Sequence, residues 1–179
     1  MTIAPHDVSV RTLQASVPFR EAMREVAAGV SIITAGRDAE WAGLTATSVT
    51  SLSLDPPTVL VCINRSASIV PFLERYWRFA INFLSAEQLP LAQRFAGGEG
   101  FQGVTRFRSG NWSTLETGSP VLADALAVLD CKLEELIPRH SHVIVIGRVL
   151  VADVRSRSDS LVRWCSDYSR LQALPVAPT

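Results

Sequence analysis

Small hydroxyl side chains crowd one stretch of this chain, with Thr45, Thr47, Ser48, Thr50 and Ser51 all falling within seven residues. Each hydroxyl is both donor and acceptor. Such a cluster suits the polar edge of a bound ligand, and it equally suits an edge strand whose polar face meets water. A second stretch, Asn64-Arg65-Ser66-Ala67-Ser68, follows an apolar run. Its serines, Arg65 and the free amides of a helix starting near Ser66 would form a cradle for an anion such as phosphate. An ordinary helix cap uses the same residue types. His142 opens a strongly apolar run. An imidazole there is either a satisfied histidine at the edge of a core or a group at a pocket mouth, able to give a proton or hydrogen bond to a substrate. Trp164 and Tyr168 read as packing residues of the C-terminal segment.

Other chemistries lack their motifs. No GxGxxG opens a βα unit and no GxxxxGK[ST] is present, so neither a Rossmann nor a P-loop nucleotide site is indicated. There is no HExxH, and His140-Ser-His142 has no third ligand near it in sequence, so no metal site is expected. No GxSxG elbow supports a serine nucleophile. The cysteines, Cys62, Cys131 and Cys165, are odd in number and form no CxxC. Cys62 and Cys131 stand in apolar runs, which suits buried thiols in a reducing compartment better than a disulfide framework.

The elements that must position these residues are mostly strands. From Pro18 the spacing of Phe19, Met23, Val26 or Ala27, and Val30 is helical, with Gly29 able to end the helix. Residues 30–35 read as a strand and 36–40 as a hairpin loop. Residues 41–54 read as one strand bent at Gly43, stopped by Asp55-Pro56-Pro57 because proline cannot donate to a ladder. Residues 58–63 read as a buried strand, 66–74 as a short helix and 78–84 as a further strand. Residues 85–96 read as a helix capped by Ser85, followed by a glycine-rich loop over 97–100 and an irregular stretch over 101–118. Residues 125–136 alternate as a half-buried strand. Residues 142–154 are apolar on both faces and should form the most buried strand, broken only by Gly147 and Arg148. Residues 160–171 read as a terminal helix or an extended tail. The pattern predicts a single, mainly β domain over 16–171, a β-barrel with helical additions, between a loose arm (1–15) and an unstructured tail (172–179).

Composition narrows the partners. The chain has 179 residues, enough for one sizeable core, and its 17 basic and 17 acidic residues cancel. No basic stripe indicates nucleic acid. Apolar content is 47% and charged content 19%, a balance that often hides surface in an oligomer. The N-terminus does not read as a signal peptide, and no run reaches the ~18 apolar residues of a membrane span. The expectation is a soluble, cytoplasmic protein.

Taken in order, several segments resemble the short-chain flavin reductases, the FMN-binding split-barrel family that serves as reductase component of two-component flavin-dependent monooxygenases. Residues 19–34 are similar to its opening helix and first strand. Gly43-Leu-Thr-Ala-Thr-Ser48 with Asp55-Pro-Pro57 resembles its flavin strand. Residues 78–83 resemble its next strand, Phe101-Gln-Gly-Val104 its F-x-G-V element, and residues 120–131 and 142–149 its closing strands. The resemblance implies a homodimeric split β-barrel of Greek-key type with a few flanking helices. It also implies hydride transfer from NADH or NADPH to FMN or FAD, and a partner monooxygenase that receives the reduced flavin. By this resemblance Thr45, Ala46, Thr47 and Ser48 contact the isoalloxazine edge and ribityl chain. Cys62, Ile63 and Asn64 line the ring side, and Arg65, Ser66 and Ser68 lie near the phosphate. Phe101, Gly103 and Tyr168 complete the cofactor set, and His142 lies by the nicotinamide. Three positions depart from the family pattern. His140-Ser141 replaces Gly-Asp before the histidine, Cys165-Ser166-Asp167 replaces a glycine-rich turn before Tyr168, and Gly100 stands where Lys or Arg is frequent. A repurposed flavin-binding barrel acting directly on an organic substrate is the alternative these departures leave open.

Overall fold

Two strands that are neighbours in the chain stand at opposite edges of the main sheet, and this closes the fold. The computed structural model describes residues 12–155 and 158–174, with backbone alone for 12–16 and 99. After helix α1 (Thr12–Arg24) and the short β1 (Ala28–Gly29) come β2 (Ser31–Arg37), β3 (Glu40–Ala46), β4 (Thr50–Leu54) and β5 (Pro57–Asn64). Helix α2 (Val70–Tyr76), β6 (Arg78–Phe83), α3 (Leu89–Phe95), β7 (Trp112–Thr114) and β8 (Pro120–Leu122) follow. The long hairpin β9 (Ala127–Arg139) and β10 (His142–Val154) precedes a short one, β11 (Leu161–Trp164) and β12 (Asp167–Arg170).

Seven of these strands form one antiparallel sheet in the order β3-β2-β6-β9-β10-β5-β4. Laid flat it would measure roughly 29 Å from edge to edge at ~4.8 Å per strand. Residues 47–49 alone join edge β3 to edge β4, and a chain that short reaches about 14 Å at most. The sheet must therefore curl until its edges approach, leaving a seam at residues 47–49. The architecture is mainly β, a single split barrel with few helices, as expected. Among the described residues no helix is long and apolar enough to cross a membrane.

Both faces of the middle of the sheet are covered. Ile33, Val61, Ile63, Phe79, Ile81, Leu133 and Val145 fill one core. Their strand neighbours Ile32, Ala80 and Val128 join Leu91, Phe95, Phe107 and Leu122 in another on the opposite face. Alternate residues of one strand serve different cores, so β2 and β6 are buried almost continuously. Asn82 links the second core to the sheet: its amide donates to the Ile32 carbonyl at 3.1 Å and its Oδ1 accepts from Leu122 N at 2.7 Å.

Several expectations change. The strand expected over 41–54 is two strands, and Gly43 is no bend but a ladder residue opposite Thr34. Hydroxyl-rich strand and hydroxyl-rich link have the same composition, so the break left no mark. The loop over 36–40 tightens to a turn at Asp38 and Ala39, both with positive φ. Helix α1 begins at Thr12, inside the stretch expected as a loose arm, with Pro18 within it; residues 1–11 lie outside the described residues. Residues 160–171, expected as helix or tail, hold the β11–β12 hairpin paired to β1. Strand β10, expected to be the most buried, exposes its second half, with Leu150 at 41% and Val154 at 76%.

Candidate active site

A cleft of about 510 Å³ lies beside the seam of the barrel. Strand β3 and the link give Thr45, Ala46, Thr47 and Ser48; β5 gives Cys62, Ile63 and Asn64; β10 gives His142. Ser68 comes from the turn before α2. Residues nearly a hundred positions apart thus converge because β10 pairs with β5, placing His142 opposite Asn64.

Each hydroxyl has a distinct job. Thr45 Oγ1 donates to the Ala92 carbonyl of α3 at 2.6 Å, so it fixes the helix to the strand. Ser48 Oγ donates to the Cys62 carbonyl at 2.9 Å and accepts from Cys62 N at 3.1 Å. That reciprocal pair replaces a rung of backbone ladder where β3 has already left the sheet, and it stitches the seam. Thr50 and Ser51 lie on β4, outside the cleft. Thr47 and Ser68 have no hydrogen-bond partner among the described residues and remain available to a ligand. Cys62 is exposed in the cleft rather than buried, because its side of β5 faces outward. Cys131 is buried, as expected, and burial with the neighbouring Asp130 pushes its thiol far above the ordinary range.

The expected anion cradle is only partly assembled. The helix starts at Val70, four residues later than read, because Asn64 Oδ1 accepts from both the amide and hydroxyl of Ser66 at 2.9 Å and sets a turn instead. Arg65 and Ser66 do not line the cleft; Ser68 does. Phe101, Gly103 and Tyr168 are also absent from the lining. Tyr168 packs against the second core with Arg163 stacked 4.4 Å from its ring centroid. Phe101 acts at one remove, its carbonyl accepting from Arg106 Nε at 3.1 Å.

The sequence reading missed Arg106. Its Nη1 donates to the Gly43 carbonyl at 3.0 Å, and its side chain lines the cleft as the one permanently charged group there among the described residues. Phe95, also missed, forms an apolar wall. A Cβ at Gly43 would stand 2.8 Å from its ring, so glycine is what lets the ring lie on the strand. Behind that wall Phe107, Trp41 and Trp112 pack with Phe95 in tilted and edge-to-face contacts, centroids 4.9–5.5 Å apart. At the rim His142 is exposed, with Nδ1 2.9 Å from Ser141 Oγ.

Apolar walls, free hydroxyls at one edge and a single fixed cation suit a planar heteroaromatic ring that carries a polar edge and an anionic tail. No group of three or more His, Cys, Asp or Glu among the described residues is arranged to hold a metal.

A sheet curled to a seam, with a cleft beside that seam, defines a split barrel. The chain belongs to the flavin reductase family: the model of the flavin reductase like domain matches residues 23–172. It is similar to the FMN reductase (NADH) RutF of Bradyrhizobium diazoefficiens, 38% identical over 84% of this chain and 82% of the relative. Among solved structures it resembles BorF, the flavin reductase component of a bacterial two-component tryptophan halogenase. The TM-score is 0.81 and the identity 32%, over 89% of this chain and 99% of the other. It also resembles the Streptomyces globisporus NADH:FAD oxidoreductase SgcE6 in complex with NAD and FAD fragments. There the TM-score is 0.79 and the identity 30%, over 89% and 94% of the two chains.

Proposed function

We propose that this chain is an NADH- or NADPH-dependent reductase of FMN or FAD that passes reduced flavin to a separate monooxygenase. The observation that carries the reading is the convergence of Thr45–Ser48, Cys62–Asn64, Ser68 and His142 on one cleft. A bound flavin would supply the acceptor for one hydride, the electron pair and proton leaving a reduced nicotinamide. The chain's own part is binding and orientation. Phe95, Leu44 and Ile63 give the ring its apolar bed, and Thr47 and the backbone of residues 45–48 meet its polar edge. Ser68 and Arg106 are the candidates for the anionic tail. Exposed His142 holds the nicotinamide side of the cleft. No side chain need act as a nucleophile.

The reading includes a homodimer. Leu54 on edge strand β4 is 89% exposed, and Leu52, Leu150 and Val154 are exposed with it. Large apolar side chains on an unpaired edge and an uncovered sheet face suit a second copy.

The test is flavin-dependent NADH or NADPH oxidation by the purified protein. Turnover that saturates in added FMN or FAD supports the reading. Flavin binding without oxidation of either nicotinamide would favour the alternative, a barrel acting directly on an organic substrate. What leaves that alternative open is the departure at His140-Ser141, where the Ser141 hydroxyl lies 2.9 Å from His142 Nδ1.

A further inference from the structure

Three cations stand in one row across the sheet. Arg78 on β6 pairs directly with Lys132 on β9, and Lys132 pairs directly with Arg148 on β10. Residues paired in this way share a face, and like charges directly opposite destabilise a ladder. The row is only partly neutralised. Arg148 Nη2 meets Glu134 Oε1 at 2.7 Å, and Arg78 Nη1 donates to the Thr117 carbonyl at 3.2 Å. Lys132 is exposed and has neither an ion pair nor a hydrogen bond among the described residues.

A cavity of about 310 Å³ lies on this row, with Arg78, Lys132, Trp77, Thr117 and Glu116 in its lining. Leu150, on the sheet face proposed above for a second copy, borders it. Trp77 ends α2 at positive φ, a position that favours glycine or asparagine, yet it carries an indole 49% exposed. Two cations beside an open aromatic ring, in a space of this size, match one acid group on a small apolar body. The Glu116 carboxylate is the opposing charge in the lining, and it forms no ion pair with either cation among the described residues.

We infer that this cavity binds a small organic anion, a carboxylate or phosphate ester on an apolar body, with Arg78 and Lys132 holding the acid group and Trp77 against the apolar part. The inference does not depend on the flavin reading. Arg148 and His142 stand six residues apart on β10, opposite Thr58 and Asn64 of β5. At ~3.4 Å per residue the row is about 20 Å from the histidine. An occupant of this cavity is therefore a separate ligand, neither the hydride donor nor the acceptor.

Benzoate is the probe, titrated calorimetrically into the full-length protein at low ionic strength, with and without excess FMN. Benzoate should bind equally well in both cases, and neutral benzyl alcohol should not bind. Lys132→Gln should weaken benzoate about tenfold, and Lys132→Arg should retain it. Trp77→Asn, which suits the left-handed backbone, should also weaken it, whereas Glu116→Gln should tighten it by removing the competing carboxylate. Phenyl phosphate distinguishes the two acid groups: tighter binding than benzoate marks phosphate esters as the class, and weaker binding marks carboxylates. Absence of binding by both anions overturns the inference, as does benzoate binding that Lys132→Gln leaves unchanged or that FMN abolishes.

Discussion

Hydroxyls identical in sequence become different in space. Thr45 and Ser48 hold the scaffold, while Thr47 and Ser68 are left for a ligand. Replacing Ser68 by Ala should therefore weaken FMN and FAD by about tenfold or more, the effect of one lost hydrogen bond to a charged group, and leave riboflavin unchanged. Ser66→Ala should leave all three flavins alike, since Ser66 is spent on Asn64. Equal loss for riboflavin would remove Ser68 from the phosphate side. His142→Ala should slow nicotinamide-dependent reduction at least about tenfold while flavin affinity, read by fluorescence titration, holds. Unchanged reduction would take His142 out of the reaction. The hydroxyls of residues 45–48 and His142 stand out by residue type, but Cys62 and Ile63 are singled out only by the family resemblance, and the apolar run around Cys62 misdirects the reading, since its thiol is exposed. Arg106 is not legible, because it lies in the irregular stretch over 101–118, where no period indicates where a side chain points.

The elements explain themselves through two cores. The continuous apolar runs of β5 and β10 and the alternation of β9 told of strands, and those strands are present. The break at residues 47–49 and the β11–β12 hairpin were not visible. Cys165 and Ser166 take positive φ without the glycine or asparagine that marks such turns. Gly147 is the clearest case of an element depending on one residue. It lies at an irregularity in the β9–β10 register, and a Cβ there would fall 2.4 Å from the fully buried Phe79 ring. Gly147→Ala should cost about 1–3 kcal/mol in urea unfolding. Adding Phe79→Leu should recover part of that loss, a coupling that two independent sites would not show. Additive losses would mean that the ring and the glycine do not share the space.

At the scale of the molecule, the short link across the seam forces a curled sheet, and the curl brings β3, β5 and β10 to one cleft. The apolar surplus seen in the composition lies partly on β4 and the second half of β10, outside both cores. Light scattering should give twice the mass of the 19.5 kDa chain, and Leu54→Glu with Leu150→Glu should shift the protein to monomer. A monomeric wild type would leave those side chains without the partner proposed for them. The central claim is that this barrel delivers reduced flavin, and anaerobic mixing with NADH and a large excess of FMN tests it most directly. The account predicts that the yellow absorbance bleaches through many equivalents of FMN per protein, with the rate rising with protein concentration. Bleaching that stops at one equivalent, or none with either NADH or NADPH while FMN stays bound, would contradict it.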